Sequence, residues 1–175
     1  CYLTGDGVDR DLDEAVRLFR AAGNDPVAQF NLGVCYAKGE GVSKDVQKAV
    51  EYYERSAKQR LVEAQCNLGE CLMKGDGVPK NSDRAVELFM LAAKRGLPAA
   101  QFNLGVCYSR GEGVKVDGAA ALHYYRLAAD RNHARAKDAL ERTEQQVQTK
   151  EAATQFYHGK LLLEQWRQTE FTDRK

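Results

Sequence analysis

Hydrophobic residues in this chain fall at helical spacing. Leu12, Ala15, Val16 and Phe19 stand at i, i+3, i+4 and i+7, with Leu18 and Ala22 widening the stripe. That spacing predicts a helix over residues 12–22, with Asp11 placed to cap its N-terminus. Blocks of the same kind predict helix pairs at 27–38 and 45–58, at 62–74 and 82–94, and at 98–110 and 118–130. A glycine turn separates the members of each pair: Gly39-Glu40-Gly41-Val42, Gly75-Asp76-Gly77-Val78 and Gly111-Glu112-Gly113-Val114. An earlier copy, Gly5-Asp6-Gly7-Val8, follows residues 1–4, which read as the end of another helix. The first glycines are 34, 36 and 36 residues apart. The linker at residues 23–26 is two residues shorter than its counterparts, which accounts for the shorter interval. A fixed period of this size predicts a solenoid. Gly39 stands where a left-handed residue ends a helix. Pro98 stands at a helix start, where its missing N–H costs nothing.

The copies agree position by position. Asn31-Leu32-Gly33, Asn67-Leu68-Gly69 and Asn103-Leu104-Gly105 coincide, as do Ala15, Ala49, Ala85 and Ala121. Phe19, Tyr53, Phe89 and Tyr125 form an aromatic row four residues later. Small residues such as Gly33 and Ala49 leave room for the two helices of a pair, and the aromatic row is expected to fill the space between repeats. The pattern A-x-x-x-L-G-x-x-Y-x-x-G-x-G-V, at residues 28–42 and 100–114, resembles the Sel1-like repeat family, a relative of the tetratricopeptide repeats. The resemblance implies an all-α, right-handed α/α solenoid over residues 1–133, used as an adaptor in protein complexes and signalling. Nothing in the family's repeat is itself catalytic.

Beyond residue 133 the pattern degrades. Ala136 and Leu140 continue the period, but Asp138 replaces Phe102 and Glu141 replaces Gly105. A polar terminal helix over 134–148 suits a cap on the array. Residues 149–175 are expected to form a further amphipathic helix and a frayed end. That helix gathers Phe156, Leu162, Leu163 and Trp166 on one side and Tyr157 and Leu161 on another. Gly159 weakens it by about 1 kcal/mol. Such a helix either docks on the last repeat or joins chains or partners.

Composition narrows the picture further. With 26 Lys+Arg against 25 Asp+Glu the formal net charge is +1, giving no broad electrostatic reason to bind nucleic acid or anionic lipid. No apolar run approaches the ~18–20 residues of a membrane span. Cys1, Cys35, Cys71 and Cys107 each precede a turn by four residues, so they are one repeat position used four times. On stacked helices such positions lie about 8–10 Å apart, too far for disulfides, and a ladder of single cysteines does not converge on a metal. The expectation is reduced, mostly buried thiols and a reducing, cytoplasmic-type compartment. The chain starts without Met and in mid-helix, so it reads as part of a longer protein, and a missing leader carries no weight.

Candidate chemistry is sparse. The Gly-x-Gly turns follow helices, whereas a dinucleotide fingerprint follows a strand and carries a third glycine, so no cofactor is implied. His123, His133 and His158 show no metal spacing, and no nucleophile has a matched base and acid. Lys38, Lys74 and Arg110 precede the turns, each followed by an acid. They suit the helix dipole, or alternatively a stripe for an acidic peptide. The first helices offer more. Phe30 and Val34 lie opposite the face toward the second helix. Phe102 and Val106 repeat the pair, and Cys66 and Glu70 hold the same places between them. These six are expected either to touch the adjacent repeat or to floor a concave groove for a protein partner. Three functions follow: a non-enzymatic adaptor, a homo-oligomeric module assembled through the C-terminal helix, and an appendage of an enzyme.

Overall fold

Each helix of the array begins and ends where local chemistry dictates. A computed structural model describes residues 11–172; Cys1, the turn at residues 5–8 and residues 173–175 lie outside the described residues. Helix α1 (Leu12–Ala21) starts at Asp11, whose carboxylate accepts from the Glu14 N–H at 3.0 Å. Then come α2 (Pro26–Lys38) and α3 (Val46–Lys58), α4 (Val62–Lys74) and α5 (Ser82–Lys94), and α6 (Pro98–Arg110) and α7 (Gly118–Ala129). The second helices are capped by Asp45, Asn81 and Asp117, each satisfying an N–H of the first turn. The described residues form a right-handed α/α solenoid of stacked helix pairs.

The two glycines of each turn serve different ends. Gly39, Gly75 and Gly111 take φ of 78°, 81° and 73°, and their N–H groups bond the carbonyls of Cys35, Cys71 and Cys107 at 2.8 Å. This left-handed stop suits glycine because no Cβ opposes it. The second glycines are left-handed too, but they also touch the preceding repeat. A Cβ on Gly41 would lie 2.5 Å from the Leu12 carbonyl oxygen, and one on Gly77 would lie 2.7 Å from that of Val46. Each turn therefore rests directly on the start of the previous pair's second helix.

The aromatic row borders the next repeat, with the Tyr53 hydroxyl bonded to Asn67 and Phe89 beside Asn103 and Cys107, and it fills a second space as well. Tyr53, Phe89 and Tyr125 pack within their own pair, over Gly33, Gly69 and Gly105, where added Cβ atoms would collide with the rings. Close approach at Ala49, Ala85 and Ala121, all fully buried, brings the rings there. Buried Leu68, Leu72, Phe89 and Leu104 continue one core from pair to pair.

A second device ties repeats at the linkers. Gln59 donates to the Asn24 carbonyl at 3.0 Å, and Arg95 to that of Arg60 at 2.7 Å; Arg131 donates to that of Gly96. One position per repeat thus reaches back to the preceding linker. Cys35, Cys66, Cys71 and Cys107 are free, as expected. Burial pushes the Cys66 thiol up to about 12 and Cys107 up to about 11, so both stay protonated and unreactive.

The last element is one helix, α8 (Ala134–Thr172), running through both the expected cap and the expected tail helix. Its 39 residues span about 58 Å, against 13 in most helices of the array. Ala136, Ala139 and Leu140 pack on Phe102, Ala121 and Tyr125. Arg126 pairs with Glu144 at 2.8 Å.

Candidate protein-binding groove

Positions i, i+3 and i+7 of a helix share one face. Asn67, Glu70 and Lys74 of α4 have that spacing, as do Asn103, Val106 and Arg110 of α6. Stacking the repeats aligns the two rows along one edge of the array. Two open depressions lie there. One, of about 380 Å³, is lined by Lys44, Asn67, Glu70 and Lys74 among others. The other, of about 190 Å³, is lined by Glu70, Lys74, Asn103, Val106, Glu112 and Arg135 among others. Glu70 and Lys74 belong to both, so the depressions join into one groove that runs from the first complete repeat (Lys44, Tyr53) across the second to the third (Asn103, Val106).

The groove is polar but tightly organised. Asn103 donates through Nδ2 to Glu70 Oε1 at 3.1 Å and toward Cys66 Sγ at 3.7 Å, bridging two repeats. Lys74 stands 3.9 Å from Glu70, and Arg110 stands 3.7 Å from Glu112. Asn67 hydrogen-bonds the Tyr53 hydroxyl; burial raises that phenol's pKa, and this bond partly offsets the rise. The titratable cations and acids lining each depression balance, so the groove has no strong charge of its own.

The six residues singled out on the first helices separate by depth. Glu70 and Val106 line the groove. Phe30 and Val34 are half-buried at the equivalent place in the first complete repeat, with the Phe30 ring 5.9 Å from Tyr53. Cys66 and Phe102 lie beneath the surface, 2% and 7% exposed. Phe102 is covered by His133, stacked at 4.8 Å, and by the Arg135 guanidinium 4.9 Å above the ring. Arg135 and the two asparagines were not singled out from sequence. The asparagines recur in every Asn-Leu-Gly triplet, a signal open to reading. Arg135 lies past the last full repeat and carries none.

On the tail, Phe156 and Tyr157 are each 70% exposed and Leu161 54%. The side chains of Leu162, Leu163 and Trp166 lie outside the described residues. Among the described residues no three His, Cys, Asp or Glu side chains stand together as metal ligands, and no helix is long and apolar enough to cross a membrane.

Comparison with known proteins agrees with this fold. The Sel1 repeat family model matches residues 1–25, 26–61, 62–97 and 98–133. A Sel1 repeat protein from Oxalobacter formigenes superposes with a TM-score of 0.74 at 38% identity, covering 79% of this chain and 58% of its own. A protective antigen of uropathogenic Escherichia coli, displaying an SLR fold, gives a TM-score of 0.72 at 34% identity over 77% of this chain and 29% of its own. This chain thus spans less than two thirds of either relative. Cysteine rich protein B of Helicobacter pylori, at 18% identity and a TM-score of 0.60, shares the fold over 78% of this chain and 99% of its own. No curated protein matches the chain.

Proposed function

We propose, from the premise that this chain belongs to the Sel1 repeat family, that it holds a segment of a partner protein along the first-helix groove. Members of the family generally mediate protein–protein interaction and are generally non-catalytic scaffolds. The observation that carries the reading is continuity. Two depressions share Glu70 and Lys74, so an extended or helical segment can lie across three repeats. Amide side chains at Asn67 and Asn103 offer donors and acceptors to a backbone, and Val106 and Met73 offer apolar contact. The test is selection of peptides from a random library on the immobilised chain, followed by titration of the variants Lys74→Glu and Val106→Asp. Lys74 is exposed, whereas Val106 is half-buried against the Phe102 cluster, so circular dichroism must first show that both variants keep the parent's helicity. Affinity for groove-bound peptides is expected to fall about tenfold or more. If no selected peptide is weakened by either variant, the groove is refuted.

A second reading rests on the projecting part of α8. Its exposed Phe156, Tyr157 and Leu161 suit pairing with a second copy of the chain. Light scattering on the full chain and on one ending at Gln148 tests it. An oligomer that becomes a monomer on truncation supports assembly through α8; a monomer in both cases removes it.

A further inference from the structure

The other side of the array, built from second helices, carries a depression of a different character. It lies between α5 and α7 and has a volume of about 600 Å³. Met90, Tyr124 and Leu127 give it an apolar wall; Lys94, Arg95 and Arg131 bring three cations, and no acid lines it. The two groove depressions, by contrast, are balanced in charge. Among the described residues none of the three cations has a carboxylate within ion-pair distance. Arg95 and Arg131 hold only backbone carbonyls of the neighbouring linkers.

The floor gives an independent observation. Gln101 is 3% exposed, and its Oε1 meets no donor among the described residues, as is also true of Gln65 at the same place in the preceding repeat. The equivalent Gln29 does have one, because Gln59 donates to Gln29 Oε1 at 2.9 Å while also holding the Asn24 carbonyl at 3.0 Å. Arg131 stands where Gln59 stands in the first complete repeat. It keeps the link to the preceding linker, leaves the glutamine acceptor open and adds a charge.

We propose that this depression docks an acidic, amphipathic segment of a partner protein, distinct from any segment held in the first-helix groove. Carboxylates meet Lys94, Arg95 and Arg131, apolar side chains lie on Met90, Tyr124 and Leu127, and backbone N–H groups bring donors to the Gln101 floor. A free phosphate would use the cations and leave the apolar wall empty. A nucleic acid finds little field on a chain of net charge +1.

The experiment uses a fluorescent peptide of alternating leucine and glutamate, a control with glutamine for glutamate, and a short single-stranded oligonucleotide, read by anisotropy on the full chain. The variant Arg95→Gln with Arg131→Gln copies Gln59, so it keeps the linker bonds while removing two charges. Lys94→Gln alone is a second variant that touches no bond of the fold. The acidic peptide is expected to bind the parent, to weaken about tenfold in the double variant and about threefold in Lys94→Gln, and to weaken at high salt. Lys74→Glu, in the groove, leaves its affinity unchanged. Equal binding of the glutamine peptide, preference for the oligonucleotide, unchanged affinity in the double variant, or loss in Lys74→Glu instead each overturns the proposal.

Discussion

Replacing Gly77 by alanine and, separately, Gly75 by alanine divides two costs that lie two residues apart. Both residues are left-handed, at φ of 69° and 81°, so each alanine is strained by about 1–2 kcal/mol. At Gly75 there is nothing further, because the nearest atom to the new Cβ is Lys80 Cβ at 3.4 Å, an ordinary van der Waals contact. At Gly77 the Cβ would stand 2.7 Å from the Val46 carbonyl oxygen and 2.8 Å from its carbon. Those are backbone atoms at the start of a helix and cannot turn aside. Overpacking of this kind costs about 1–3 kcal/mol more, and it opens the seam between two repeats. The expected losses are therefore about 1–2 kcal/mol for Gly75→Ala and about 2–5 kcal/mol for Gly77→Ala. Urea unfolding followed by far-ultraviolet circular dichroism measures both. Equal losses at the two positions would refute the claim that the turn rests on the preceding helix.

Other consequences can be checked on the same protein. Arg60 is exposed with φ of 66°, where the next repeat has Gly96. Arg60→Gly removes about 1–2 kcal/mol of strain and gives back about 0.4–1 in unfolded-state freedom, so denaturation should show a net gain of about 0.5–1 kcal/mol. Phe102→Ala should cost about 3 kcal/mol and, in a stack coupled only to neighbours, should loosen α8 before the rest in hydrogen exchange. His133 accepts from the Ala136 N–H through Nδ1 at 3.2 Å and so caps α8. Burial, and to a lesser degree the Arg135 charge, lowers its pKa below 6.5. Its stabilising effect is therefore present above that value and is lost as pH falls through the lowered pKa. Protection of the first turns of α8, measured against the intrinsic exchange rate at each pH, should fall as pH is lowered from about 7 to 5, and His133→Asn, which retains a capping group, should abolish the change.

The repeat array was legible because its signals are local. Periodic apolar residues, capping acids and glycine stops place α1 to α7 within a residue or two of their observed ends. Contacts between repeats were less so. The reason for the second glycine of each turn is a carbonyl in the preceding pair, and nothing next to Gly41 or Gly77 announces it. The same limit hid the depth of Phe102, whose cover comes from His133 and Arg135 across the α7–α8 linker. α8 runs on for a readable reason. Glu141 stands where a second helix would need glycine, and residues 147–150 offer no glycine to stop the helix. In the groove, helical spacing identified the outer face of the first helices. It did not distinguish Glu70 and Val106 at the surface from Cys66 and Phe102 beneath it, because that depends on which neighbour covers each side chain.

The most direct measurement is a hydrogen–deuterium exchange footprint of the chain with and without a library-selected peptide. For a peptide that Lys74→Glu weakens, slowed exchange is expected in α4, α6 and the turns at residues 75–78 and 111–114, with α7 little changed. Protection confined to α5 and α7, or to α8, with α4 and α6 unaffected, would contradict the first-helix groove.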